Sequence, residues 1–204
     1  MKTDSFSSIL SRTLPPSLPL SPLSLDPEGG FFKETYRSGA TPGASKGLTD
    51  VTGTLLPSSS IPPSPRNVCT SIFYLLTREA PIGYWHMNQS NIIHYYQGGD
   101  PLSYYLLHPS TGAWEKHILG PDLAKGHTLQ LIVDGGVWKA TVLEQQQEEK
   151  GGGREGGWGL LGEAVAPGFD YRDMRFGNEE EMARVFPQHL EKLRSYLKPK
   201  EAEA

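Results

Sequence analysis

The feature that most constrains the fold is punctuation. From Val68 to Ala166 the chain runs as short apolar or aromatic stretches, each cut off within about ten residues by a Gly, Pro, Asn or Asp cluster. Such stretches are long enough for strands and too short for most helices. Gly (23) and Pro (17) make up about a fifth of the 204 residues, which also favours turns. The pattern predicts strands at Phe31–Arg37, Val68–Thr77, Gly83–His86, Asn91–Tyr96, Leu102–His108, Ala113–Leu119, Leu129–Asp134, Val137–Leu143 and Trp158–Ala166. Eight or more short strands at roughly 8–12-residue spacing imply an all-β sandwich or barrel. One helix is expected, over Met182–Leu197, where Val185, Phe186, His189, Leu190, Leu193 and Leu197 recur at three- and four-residue steps. Pro187 falls inside it and places the start of the regular helix nearby.

Three regions read differently. Residues 1–24 are Ser/Leu/Pro-rich and read as a disordered leader, with an organelle transit peptide as the weaker alternative. Residues 38–67 and 144–157 read as flexible loops, the second around the polar run Gln145–Gly157. The folded domain is expected over 25–176, followed by the helix and tail over 177–204.

The net charge of −4 argues against a nucleic-acid surface, which needs a concentrated basic face. No apolar run approaches the roughly 20 residues of a membrane-spanning helix, so no membrane partner is expected. The single cysteine, Cys69, excludes an intramolecular disulfide and reads as a small buried residue. A cytoplasmic location follows as the expectation.

The segment Ser71–Leu107 concentrates the groups able to do chemistry: Trp85-His86, Asn88, His94 and a Gly98-Gly99-Asp100-Pro101 turn. If Trp85–Tyr96 stays extended, His86, Asn88 and His94 share one face.

Five separated pieces carry a resemblance. Pro27-Glu28-Gly29-Gly30-Phe31-Phe32-Lys33-Glu34-Thr35-Tyr36-Arg37 resembles the P-E-G-G-[YF]-[FY]-x-E-T-Y-R opening of the fifth cupin family, a family of unknown function. Ser71–Leu76, Trp85-His86 with Gly99–Leu102, Gly135–Ala140, and Val165–Asp170 follow in that family's order. The resemblance spans about Leu25 to Phe176. It implies a cupin double-stranded β-helix, a jelly-roll barrel similar to sugar-nucleotide epimerases in fold, commonly a homodimer. It implies no reaction, since fold is not function.

With the barrel assumed, the pocket face carries His86 and His94 as candidate catalytic residues. Tyr36 is the partner acid, with Tyr84 and Tyr105 as alternatives. Glu34, Phe73, Asn88, Tyr105, Trp138 and Phe169 are candidate ligand-binding residues. In an epimerase-like scheme a histidine, oriented by a carboxylate such as Glu34, removes a proton beside a carbonyl and a tyrosine returns one. The plain alternative is that the histidines are satisfied core polar groups. Gly135-Gly136 and the Glu28 turn read as turns and not as ligand cradles.

Metal-binding cupins resemble G-x5-H-x-H-x3-4-E-x6-G followed by P-x-G-x-x-H. Three histidines and a carboxylate of that kind suit Fe, Mn, Ni or Zn. Here His86 stands at the first histidine, Asn88 at the second, Ile92 near the glutamate and Trp138 near the last histidine. No metal or other cofactor is therefore assigned. The readings left open are a metal-free isomerase or epimerase acting on a sugar-like small molecule, a non-catalytic small-ligand module, and a metal-dependent oxygenase or isomerase.

Overall fold

A computed structural model describes residues 24–38, 50–51, 66–144 and 157–199. The expected leader, apart from Ser24, and most of both expected loops lie outside the described residues. Thirteen strands occur among them: β1 (Ser24–Leu25), β2 (Phe31–Arg37), β3 (Asp50–Val51), β4 (Arg66–Asn67), β5 (Thr70–Thr77), β6 (Ile82–Asn88), β7 (Asn91–Gly99), β8 (Leu102–Leu107), β9 (Trp114–Leu119), β10 (Gln130–Val133), β11 (Trp138–Leu143), β12 (Trp158–Ala166) and β13 (Met174–Phe176). They form a six-stranded sheet, β1-β2-β5-β12-β7-β10, a five-stranded sheet, β13-β6-β11-β8-β9, and a ribbon, β3-β4. All strand pairings are antiparallel. The two large sheets face each other as a jelly roll.

Alternation along the strands sorts side chains into two environments. Tyr74, Leu76, Leu102, Tyr104, Leu106, Leu131, Val133, Leu143 and Leu161 form an apolar cluster between the sheets. On the outer side of the smaller sheet, Trp85, Met87, Leu107, Trp138 and Ala140 pack with Met182, Phe186 and Leu193 from the C-terminal segment.

The single helix expected over Met182–Leu197 is corrected to two. They are α1 (Glu179–Val185) and α2 (Leu190–Arg194), joined by a 3-10 turn at Pro187–His189. Pro187 lacks an N–H and drives its predecessor out of helical geometry, and Phe186 sits at φ −132°, ψ 54°. Helix α1 begins earlier than the periodicity suggested because Asn178 caps it, accepting from the Glu181 N–H at 2.9 Å. Glu179, Glu180 and Glu181 then fill its first turn, where the helix dipole favours negative charge.

The C-terminal segment matters to the interior because it clamps β6. The Trp85 indole N–H donates to the Leu193 carbonyl at 3.2 Å, and the Trp85 backbone N–H donates to the Tyr196 carbonyl at 2.9 Å. On its other flank β6 pairs with β11. There the register slips: Lys139 faces His86 but Thr141 faces Gly83, so β6 carries an extra residue opposite Ala140. A bulge of this kind re-aims side chains. It leaves Trp85 outside, in the helix-covered cluster, and turns His86 and Asn88 inward.

Candidate functional site

One end of the barrel interior is polar. His86, Asn88, His94, Lys139, Thr141 and Glu163 are all buried there, and Glu28 reaches in from the turn before β2. Burying so many polar groups is costly unless they pair, and the pairs they make define the site.

Glu28 is delivered by Asp26-Pro27-Glu28-Gly29-Gly30. The Asp26 side chain accepts from the Glu28 N–H at 2.9 Å, and the backbone closes with Gly29 N–H to the Asp26 carbonyl, also at 2.9 Å. Gly29 has φ 94°, and any Cβ there would strike the Ile82 carbonyl, so only glycine lets the turn lie against β6. The Tyr84 N–H bonds the Glu28 carbonyl at 2.6 Å, and the Tyr74 hydroxyl donates to the Gly29 carbonyl at 2.8 Å.

So held, Glu28 Oε2 lies 3.0 Å from His86 Nε2, although off the axis of the ring N–H. The other ring nitrogen, Nδ1, is 2.7 Å from the Tyr84 carbonyl. A carbonyl only accepts, so Nδ1 carries hydrogen. The ring thus presents Nε2, without a hydrogen-bond partner, to the Glu28 carboxylate. Burial pushes the Glu28 carboxyl up, but the charge and hydrogen bond of His86, with Lys139 beyond, outweigh this and hold it below the usual range.

The second pair joins β7 to β12, where His94 and Glu163 stand directly opposite in register. His94 Nδ1 is 3.0 Å from Glu163 Oε1 and 3.0 Å from the Tyr104 hydroxyl. The Tyr104 hydroxyl also donates to Glu163 Oε1 at 3.4 Å. Placing hydrogen on Nδ1 satisfies the carboxylate, whereas the opposite tautomer would set a lone pair against it. Nε2 then keeps its lone pair, buried and without a hydrogen-bond partner. Burial lowers the pKa of His94 despite the raising effect of Glu163. This pair is empty: a neutral imidazole beside a carboxylate. Burial pushes Glu163 up, yet its His94 partner and then the Lys139 charge bring it below the ordinary value. Burial also drives the Tyr104 phenol well up, so it stays a hydroxyl.

Both carboxylates reach a cavity of about 40 Å³, lined by Asp26, Glu28, Phe32, Ile72, Asn88, Ile92, Glu163, Val165, Phe169 and Tyr171. The imidazoles do not line it. Burial, followed by the Glu28 charge, raises Asp26 to about 8, so it holds a proton at neutral pH. The Asn88 carbonyl oxygen is buried with no partner.

Of the residues expected from sequence, His86, Asn88 and His94 do share the interior face, and Phe169 lines the cavity. The others lie elsewhere. Tyr36 is 52% exposed, because a register shift between Glu34 and Tyr36 bulges β2 at its far end. Glu34 is exposed and held by Arg37 at 2.6 Å. Phe73 points to the outer side of β5, against Phe31, Leu75, Trp158 and Leu160. Tyr105 lies outside, stacked on Tyr196 at 5.1 Å. Trp138 is in the helix-covered cluster, with the Arg175 guanidinium 4.7 Å over its ring. The expectation that these five share the pocket is thus corrected. Tyr84 lies against the Glu28 turn. Glu28, Glu163, Lys139 and Tyr104 were missed. The available signals were single charges in otherwise apolar strands, at Trp158–Ala166 and Val137–Leu143, and the one-residue parity difference between Tyr104 and Tyr105.

These donors do not fit the metal set of metal-binding cupins. Trp138 faces outward, Ile92 is an apolar wall, and the inward residue on β11 is Lys139, whose ammonium repels a cation. His86 spends Nδ1 on a carbonyl. Among the described residues no group of three or more His, Cys, Asp or Glu is arranged to hold a metal ion.

Comparison with known proteins agrees with the geometry. A relative in Saccharomyces cerevisiae, the uncharacterized protein YML079W, is 36% identical over 168 residues, spanning 81% of this chain and 77% of that one. A hypothetical protein from Leishmania major shares the fold with TM-score 0.70 at 23% identity, over 87% of this chain and 94% of its own. Protein SO0799 from Shewanella oneidensis matches with TM-score 0.66 at 25% identity, over 87% and 92%. The model of the family described as "Cupin superfamily (DUF985)" matches residues 18–177, and the chain belongs to that family.

Proposed function

We propose that this cupin binds a small, uncharged, hydroxyl-rich molecule, such as a sugar, and moves protons on it without a metal, as an isomerase or epimerase does. The observation that carries this reading is the pair of buried His–carboxylate couples, each at 3.0 Å and differently anchored, with both carboxylates on one cavity. Titratable pairs whose surroundings drive them apart mark acid and base. Glu163, backed by neutral His94, takes the proton. Glu28, backed by His86, returns one.

The lining sets the ligand class. Glu28, Glu163 and the unpartnered Asn88 oxygen are acceptors, so the ligand presents donors. Two ionised carboxylates disfavour a phosphate or a second carboxylate there. Phe32, Phe169 and Tyr171 offer apolar faces for C–H surfaces. A cavity of about 40 Å³ holds only a few water-sized groups. The reacting end of the ligand enters, and the rest lies at the rim.

The test is a thermal-shift and calorimetric screen of aldoses, ketoses, polyols and nucleotide sugars. Neutral sugars are expected to stabilise the protein, with deuterium from D2O entering the bound sugar beside its carbonyl. Binding confined to nucleotide sugars would sink the ligand class. Binding without deuterium exchange would remove the chemistry and leave a small-ligand module.

A further inference from the structure

Lys139 is the buried charge that the proposed chemistry leaves unused. It is 3% exposed, on a strand whose flanking residues Trp138 and Ala140 face the opposite side. It stands directly across from His86 in the β11–β6 register and from Leu106 in the β11–β8 register. Burial pulls the Lys139 amine below its ordinary value, and three acidic groups on other elements oppose this: Glu28 and Asp26 in the N-terminal turn and Glu163 on β12. No direct ion pair to a described residue holds it. An apolar residue would fill this position at no electrostatic penalty, so an ammonium here needs a reason.

Charge balance supplies one. Glu28 and Glu163 both approach one small cavity, and two like charges in a low-dielectric space drive one of them neutral unless a cation lies between. His94 is neutral, and His86 meets Glu28 alone. The remaining cation is Lys139. We propose that the Lys139 ammonium is the resident cation of this barrel, a positioning residue that keeps Glu28 and Glu163 ionised together and stands in for the positive charge a metal supplies in metal-binding cupins. The other titratable groups around it are Asp26, His86, His94, Tyr104 and Tyr74. Asp26 is protonated, the two phenols are neutral and each imidazole faces a single carboxylate, so none of them acts on both carboxylates as a cation.

This inference rests on the reading above in that Glu28 and Glu163 are the groups a ligand meets. Its test needs no ligand, so its outcome is separate from that of the sugar screen. Carboxyl carbons of Asp and Glu side chains are titrated by carbon-detected NMR in the full-length protein, in Lys139→Met and in Lys139→Arg. Glu28 and Glu163 are assigned through Glu28→Gln and Glu163→Gln. The titration midpoints of both are expected to rise in Lys139→Met by about one pH unit or more, the size of a lost neighbouring charge. Lys139→Arg is expected to restore most of that shift, which a purely space-filling role would not produce. Unmoved midpoints in folded Lys139→Met, or an arginine variant indistinguishable from the methionine one, would overturn the proposal. Should Lys139→Met fail to fold, the Cε resonance of Lys139 in the unaltered protein decides. An ammonium at pH 7 supports the assignment and a neutral amine refutes it.

Discussion

The two His–carboxylate couples are built from the same residue types and differ in nearly everything else. Glu28–His86 joins a turn to an edge-side strand, and its imidazole is anchored by a backbone carbonyl at the nitrogen away from the carboxylate. Glu163–His94 joins two strands in the middle of a sheet, and its imidazole meets the carboxylate through the nitrogen it shares with Tyr104. The first arrangement leaves the carboxylate-facing nitrogen without a hydrogen-bond partner. The second is satisfied by a single ring proton. The third partner of each couple, a carbonyl in one and a phenol in the other, thus decides which ring nitrogen faces the carboxylate.

The largest expected effect separates the couples by stability. Glu163→Ala removes the carboxylate that both His94 Nδ1 and the Tyr104 hydroxyl bond, leaving them only each other, and should cost about 3 kcal/mol in chemical denaturation. Glu28→Ala leaves His86 its Tyr84 bond at a less buried site, and should cost about 1–3 kcal/mol. Equal costs would break the comparison.

The couples also have an acid side and an alkaline side. His94 and Glu163 both titrate below their ordinary values of 6.5 and 4.5. Their contribution is therefore present above those values and lost as pH falls through the folded ones. His94→Gln should flatten the decline of stability that begins near pH 6.5. Asp26, beside the other couple, behaves oppositely. Its folded value of about 8 lies above the ordinary 3.8, so its contribution is full below 3.8 and lost as pH rises through about 8. Asp26→Asn should match the unaltered protein at pH 4 and exceed it at pH 8, read as thermal midpoints across pH.

Smaller effects sharpen the distinction. Tyr104→Phe removes one donor from the empty couple and should cost about 1 kcal/mol. It should also weaken any ligand-dependent proton exchange. Tyr36→Phe, on the exposed end of β2, should change stability by less than about 0.5 kcal/mol and leave ligand binding unaltered. A large binding loss there would return Tyr36 to the site.

The fold was legible in the sequence because turn residues punctuate it so regularly, and nine expected strands appear with boundaries shifted by a few residues. The interior histidines were legible because parity holds from His86 to Asn88 and again along β7. Parity failed where bulges intervene. The shift in β2 turned Tyr36 out, and the choice of Tyr105 over Tyr104 was a slip of one residue, enough to reverse a face. The carboxylates were missed for another reason. Glu28 sits in a turn whose glycines already explain its conformation, and its meeting with His86 depends on contacts 58 residues apart that no local pattern encodes.

The clamp on β6 has a consequence for how the protein is made. The strand bearing His86 is held by Leu193 and Tyr196, bonds that join positions 108 residues apart or more. Glu163 and the β12 strand also come late in the chain. A growing chain can pair β2 with β5 and close the early hairpins, but the polar end of the barrel must wait for β12 and for the segment bearing Leu193 and Tyr196. Contacts of such long sequence separation form slowly. The polar interior and the apolar cluster between the sheets thus both depend on β12, which supplies Glu163 to one and Leu161 to the other.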